Sequence, residues 1–359
     1  MAGRTLSRRG VRDGHAHWHN GGCAPTFAAR VLIARMARAA TCDGRGVDRW
    51  PGRPPNTGAG TVRLLTATVL VMGLLMPLGS AAVGPGDVNA LPASAPSATS
   101  HYGSDALQFG ELRLPAGTGP FPVAIIVHGG CWTRGFATLR MTAPIASALA
   151  ARGVATWNIE YRQMGDAGGG WPGTFRDWGA ATDHLRRLAR EHPLDLTHVA
   201  VVGHSAGAHA ALWIAARERL RRQRDIGAAQ PLPIRLAFAI DGPADLEALV
   251  GPDAQICGKP VIAPFMGGTP QQQPARYRQA SPQRLLATSA KQFLIASAVL
   301  TAEQARGYAT RIGQRGGNAQ VLELPVGHFE VIAPGQREWA TIEDLIVTSL
   351  RDDHARRGD

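Results

Sequence analysis

Apolar and polar positions follow two alternating patterns over the later part of this chain. Short apolar runs at Phe121–Val127, Ala155–Ile159, Val199–Val202, Leu236–Ile240, Phe293–Ser297 and Gln320–Leu324 read as strands. Between them, Arg140–Ala151, Phe175–Glu191, His209–Arg222, Ala302–Gln314 and Trp339–Leu350 read as helices. Continuous apolar strands alternating with helices indicate a parallel sheet buried on both sides. The expected fold is therefore α/β: a doubly wound, mostly parallel sheet with helices on both faces. A span of about 250 residues suits one large domain of this type, expected over residues 105–352.

The earlier part reads differently. Residues 1–61 are rich in Arg, Gly and Pro, without sustained periodicity, and are expected to be disordered or to be upstream sequence wrongly assigned to the protein and not translated. Arg63 then leads into the apolar run Leu64–Leu78, followed by Gly79-Ser80-Ala81-Ala82. A basic residue, a short apolar stretch and small residues describe a secretory signal peptide, expected at 62–82. The stretch falls short of the roughly 20 apolar residues a membrane span needs. True translation is expected to start near Val62, and the mature chain to be exported, periplasmic or secreted. Residues 83–104, rich in Pro, Ala, Ser and Gly, read as a linker.

Charge changes this picture little. The formal net charge is +11, but residues 1–61 hold ten Arg against three Asp. Only Lys259 and Lys291 are lysines, so arginine supplies nearly all the positive charge. No basic helix interleaved with aromatics occurs in the expected domain, so nucleic acid is not an expected partner. Of the four cysteines, Cys131 and Cys257 fall within that domain. An exported protein can pair them; two separate thiols fit the sequence equally. No Cys/His spacing there points to zinc, and no metal or cofactor is expected.

The chemistry concentrates in three places. Gly203-His204-Ser205-Ala206-Gly207 lies between an apolar strand and a helix start, the setting of a nucleophile elbow. Its glycines suit a sharp turn with close backbone approach. His128-Gly129-Gly130-Cys131-Trp132 follows an earlier strand, 77 residues upstream of Ser205. The amides of Gly130, Cys131 and Ala206 are the candidate donors to a developing oxyanion. Gly327-His328-Phe329 follows the last strand, 123 residues after Ser205, which makes His328 the candidate general base. His204 belongs to the elbow, and His209 reads as a packed or solvated helix residue.

With these motifs, the chain resembles an α/β-hydrolase of the esterase and kynurenine-formamidase-like group, whose members carry His-Gly-Gly-x-Trp and Gly-His-Ser-Ala-Gly. The likeness extends to Asn158-Ile159-Glu160-Tyr161-Arg162 and Gly168–Gly173 and runs over Ala106 to Leu350. It implies a serine hydrolase, carboxylesterase or arylformamidase-like, that cleaves a small ester or amide through an acyl-enzyme. Trp132, Tyr161 and Trp171 are candidates to line its substrate pocket; each also suits the core.

The triad acid is the open element. The resemblance implies an Asp-bearing loop after the strand Gln292–Val299, yet here that strand runs almost directly into Thr301-Ala302-Glu303, several residues short. Glu303 is the nearest carboxylate and equally suits a helix first turn. Asp241 ends the preceding strand, within reach of His328, and is the assignment adopted, level with a reading as a plain turn residue. Asp245 suits a helix cap. The alternative class is a hydrolase-fold binding protein that has lost its acid.

Overall fold

The structure, a computed structural model, describes residues 82–358. Among these residues, eight strands form one sheet: β1 (Ala98–His101), β2 (Phe109–Arg113), β3 (Phe121–Val127), β4 (Ala155–Ile159), β5 (Leu194–His204), β6 (Leu236–Ile240), β7 (Lys291–Ala296) and β8 (Asn318–Glu323). Their spatial order is β1-β2-β4-β3-β5-β6-β7-β8. The pairs from β4 through β8 are parallel, whereas β1 with β2 and β2 with β4 are antiparallel.

Helices connect the strands: α1 (Pro85–Ala90), α2 (Ala143–Ala151), α3 (Gly173–Glu191), α4 (Ala206–Ala215), five short ones, α5 (Leu246–Leu249), α6 (Asp253–Ile256), α7 (Ile262–Met266), α8 (Pro274–Ala280) and α9 (Pro282–Leu285), then α10 (Ala302–Gln314) and α11 (Arg337–Gly358). The expected doubly wound architecture is thus present. Phe121–Val127, Ala155–Ile159, Leu236–Ile240 and Ala302–Gln314 have the expected limits. No helix among the described residues is long and apolar enough to cross a membrane.

The two-residue period of a strand sorts side chains between two cores. In β3, Val123, Ile125 and Val127 face one layer with Leu185 of α3 and Trp213 of α4. Ala124 and Ile126 face the other layer, with Ile145 of α2 and Ile346 of α11. β6 shows why side-chain size matters. Ala237 and Ala239 lie on the α4 side, where the alanine-rich helix comes close. Phe238 stacks on Phe293, centroids 4.6 Å apart, on the opposite side.

Residues 83–104 correct the linker expectation, and the domain begins upstream of residue 105. Val88 of α1 is fully buried in the second core, and β1 is an edge strand of the sheet. Ala98, Thr99, Ser100 and His101 pair in register with Leu112, Glu111, Gly110 and Phe109. An edge strand is held by backbone hydrogen bonds and needs no apolar run, so its composition resembles a loop. The expectations for residues 1–61 and for the signal peptide lie outside the described residues, apart from Ala82.

Ile126 lies at the centre of this construction and is fully buried. Ile126→Ala should lower the unfolding free energy by about 2–5 kcal/mol, because the void is held open by sheet and helices. Thr341→Ala, at an exposed position of α11, should stay within about 0.5 kcal/mol. Urea denaturation of the two variants checks the contrast.

Candidate active site

The chain turns from β5 into α4 at a single residue. Ser205 holds φ 57° and ψ −119°, a conformation that costs a non-glycine residue about 1–3 kcal/mol and needs support from its surroundings. That support is visible. The Ser205 amide donates to the Ile240 carbonyl at 2.9 Å, tying the turn to β6. The flanking glycines are sterically required: a Cβ on Gly203 would collide with the Gly207 carbonyl, and one on Gly207 with the Val127 carbonyl. Ser205 is itself only half-buried.

Asp241 follows β6 directly and is fully buried. Its Oδ2 lies 2.7 Å from Nδ1 of His328. The carboxylate also accepts backbone N–H bonds from Ser297 at 3.2 Å, Ala298 at 3.1 Å, Val299 at 2.9 Å and Leu300 at 2.8 Å. Burial pushes the Asp241 carboxyl upward, but the hydrogen bond and charge of His328, with the Leu300 and Val299 amides, outweigh it and leave it below the ordinary carboxylate range. An ionised Asp241 can only accept, so Nδ1 of His328 is the donor in this contact and Nε2 is the nitrogen turned away from it.

This geometry accounts for the short loop after β7. Its amides wrap a carboxylate delivered from β6, so the loop needs no acid of its own. Glu303 is exposed in the first turn of α10. Asp245 caps α5, accepting from the Glu247 amide at 2.9 Å and the Ala248 amide at 3.4 Å. The binding-protein alternative loses its premise, since that loop holds an acid against His328.

His204 secures the other side of the His328 loop. Its Nε2 donates to the His328 carbonyl at 2.8 Å, and the two rings lie 4.3 Å apart. Burial, then the nearby His328, push His204 down to about 3, so it is a neutral donor at physiological pH. Ser297 Oγ donates to the Val326 carbonyl at 2.8 Å and fixes the approach to Gly327. The residue beside Ser205 is therefore in contact with the candidate base. His209 is the packed helix residue: it is fully buried, its Nε2 bonds the Ala280 carbonyl at 2.8 Å, and burial lowers it to about 4.

The loop after β3 lies directly on the elbow. A Cβ on Gly129 would come within 3.0 Å of both the Ser205 Cβ and the His204 carbonyl. Gly130, Cys131 and Trp132 have φ of 100°, 51° and 53°, so the loop turns through three successive left-handed residues. A disulfide joins Cys131 to Cys257, just after α6, with Cα atoms 6.1 Å apart, and closes the separate-thiol reading. Below the loop, His128 Nε2 contacts Glu160 Oε1 at 2.9 Å, and Glu160 also accepts from the Leu139 and Tyr161 amides, each at 3.0 Å. Sequence reasoning did not assign Glu160 a role, although it lies in a stretch that carried the resemblance.

Two of the three candidate pocket aromatics, Tyr161 and Trp132, belong to the core. Tyr161 is fully buried, stacks on His128 at 4.3 Å and donates its hydroxyl to the His128 carbonyl at 2.9 Å. Trp132 is buried against Phe265 and His209. Trp171 is half-buried and packs edge-on against Phe175 at 5.0 Å. A cavity of about 310 Å³ lies at the carboxyl ends of β6 and β7, lined by neither Ser205, His328 nor the oxyanion amides. Leu249, Ile256 and Val299 give it an apolar wall; Thr301, Gln304 and Arg311 give it polar groups. Its residues are scattered over several loops, which left no pattern to read.

Comparison with known proteins identifies the family and the fold. The model of the BD-FAE family matches residues 111–299, a span that holds the candidate nucleophile and acid and stops short of His328. Esterase LipC of Mycobacterium tuberculosis is 28% identical over 250 residues, 67% of this chain and 61% of that protein. The chain thus spans less than two thirds of that relative's length. Among solved structures, esterase B from Lactobacillus rhamnosis superposes with a TM-score of 0.62 at 17% identity, over 74% of this chain and 90% of that one. A bacterial heroin esterase does so with a TM-score of 0.55 at 22% identity, over 68% and 79%. Those two likenesses concern the fold, whereas the family match covers more than half of the sequence: this chain belongs to the BD-FAE family, with an α/β-hydrolase-like fold.

Proposed function

We propose that this protein is a serine hydrolase that cleaves small esters through an acyl-enzyme. The observation that carries the reading is the 2.7 Å contact of His328 Nδ1 with the caged Asp241 carboxylate, on a loop held against the elbow of Ser205. In the first half-reaction, Ser205 Oγ attacks the ester carbonyl as His328 Nε2 takes its proton. Asp241 stabilises the imidazolium that forms. The amides of Ala206, Gly130 and Cys131 hold the oxyanion; one such donor is worth roughly 3–4 kcal/mol in the transition state. His328 then protonates the departing alcohol. Water, deprotonated by the same imidazole, releases the acid and restores Ser205.

The named esterases among the relatives support an ester over a formamide as the substrate bond. Export follows as part of the same reading, because the Cys131–Cys257 bridge favours an oxidising compartment.

Ser205→Ala should lower kcat on p-nitrophenyl acetate by roughly 10⁴–10⁶ and abolish labelling by a fluorophosphonate, with an unchanged melting temperature. A variant that keeps more than a small fraction of wild-type kcat would remove Ser205 as nucleophile.

Asp241→Asn should reduce kcat by about 10⁴, with KM nearly constant, because the carboxylate acts on an imidazolium absent from the ground state. Glu303→Gln, at an exposed position of α10, should leave kcat within about twofold. The reverse result in steady-state kinetics would transfer the acid's role.

Cys257→Ser frees the oxyanion loop from α6. It should lower the unfolding free energy by about 2–5 kcal/mol and depress kcat more than it raises KM. Chemical denaturation and steady-state kinetics test both halves; an unchanged kcat would mean the loop holds its shape unaided.

A further inference from the structure

The first residues of the described fold end beside the candidate base. The backbone N–H of Val83 donates to Oε1 of Glu330 at 3.0 Å. The other carboxylate oxygen, Oε2, is closed off from solvent and has no hydrogen-bond partner among the described residues. Glu330 stands two residues after His328 and begins a 3-10 turn, Glu330–Ile332. Its carboxylate also fills the space beside Gly327, where a Cβ would collide with it. One carboxylate therefore touches both the chain around His328 and the nitrogen of Val83.

A carboxylate with a buried, unbonded oxygen is short of donors. An amide nitrogen at Val83 supplies one N–H. An ammonium at the same atom supplies three and a compensating charge, and charge-assisted bonds are roughly twice as strong. The nitrogen's position is already fixed. The Val83 side chain packs on the second core together with Val326 and Phe329. Val88 of α1 is buried in the same core, and Arg140 Nη2 donates to the Asn89 carbonyl at 3.1 Å. Immediately before Val83 stands Ser80-Ala81-Ala82, the small-residue pattern at which signal peptides are cut.

We propose that cleavage of the Ala82–Val83 bond creates an amino terminus that binds Glu330 and thereby sets the loop carrying His328. The inference rests on the export reading and on His328 as the base. Water adds across the bond: Ala82 leaves as a carboxylate and Val83 keeps an amine. With a usual α-amino pKa of about 7.7–8.0, that amine is largely protonated at neutral pH. Glu330 is then a positioning residue that acts through the His328 loop, and removal of the leader completes the site.

The experiment uses the full chain with a factor Xa recognition sequence in place of residues 79–82, so that cleavage leaves Val83 as the first residue. Cleavage should raise kcat on p-nitrophenyl acetate roughly fivefold, the upper range for a partly exposed ion pair. KM should stay within about twofold, and the melting temperature should rise. In Glu330→Gln, cleavage should change neither kcat nor melting temperature. An equal rise in Glu330→Gln, or no rise with Glu330 present, overturns the proposal. If that variant does not accumulate, cleavage that leaves one extra glycine before Val83 displaces the ammonium and should give no rise; an undiminished rise overturns it. If neither cleaved nor uncleaved protein hydrolyses the ester, the hydrolase reading has failed, and the melting-temperature comparison alone decides this proposal. Amino-terminal sequencing of the exported protein should begin at Val83, and a start at any other residue overturns it.

Discussion

A carboxylate with no exposure to water anchors the site. Taking Asp241 out of solvent costs several kcal/mol unless its lone pairs are satisfied, and the chain satisfies them with the amides of Ser297 to Leu300 and with His328. That requirement dictates much else. It sets the path of the loop between β7 and α10. It fixes which His328 nitrogen carries a proton. It also stations Gly242 against the backbone of Ser205, since a Cβ at Gly242 would collide with the Ser205 carbonyl. The acid, the base and the elbow thus share one packing solution.

The opposite side of the elbow is built by other means. Three left-handed residues in succession, two of them with side chains, do not hold their shape from local preference. Here they are braced from below by the buried His128–Glu160 contact and the Tyr161 hydroxyl, and from the side by the disulfide to Cys257. For Glu160, burial works against the charged form, while the charge and hydrogen bond of His128 and the Leu139 and Tyr161 amides favour it and win. Both flanks of Ser205 therefore follow one plan: a buried carboxylate organises a loop, and a histidine transmits that order to the reacting region. Strain at Ser205, Asp241, Cys131 and Trp132 is sustained by a core in which Val123 to Val127 contact no solvent.

The sequence alone determined the parallel sheet, because β3 to β7 are buried on both faces and their apolar runs carry that fact without reference to a partner. It also marked the elbow, since Gly203 answers a steric demand from the Gly207 carbonyl four residues on, whereas the carbonyl that requires glycine at 207 belongs to Val127 on a neighbouring strand. His328 was legible from its place after the last strand. Tertiary structure decided the rest. Ala98–His101 becomes a strand through pairing with Phe109–Leu112, and its polar composition gave no sign of this. Asp241 and Glu303 stood as rival acids until the loop from Ser297 was seen to close around one of them. Tyr161 and Trp132, equally suited to pocket or core, went to the core, where Tyr161 stacks on His128 and Trp132 packs on Phe265, partners distant in the chain. Cys131 and Cys257, 126 residues apart, became a bridge only because α6 is carried to the oxyanion loop. Local sterics and burial periodicity are written in neighbouring residues. The pairing of distant groups depends on how the whole chain closes, which no short stretch of sequence contains.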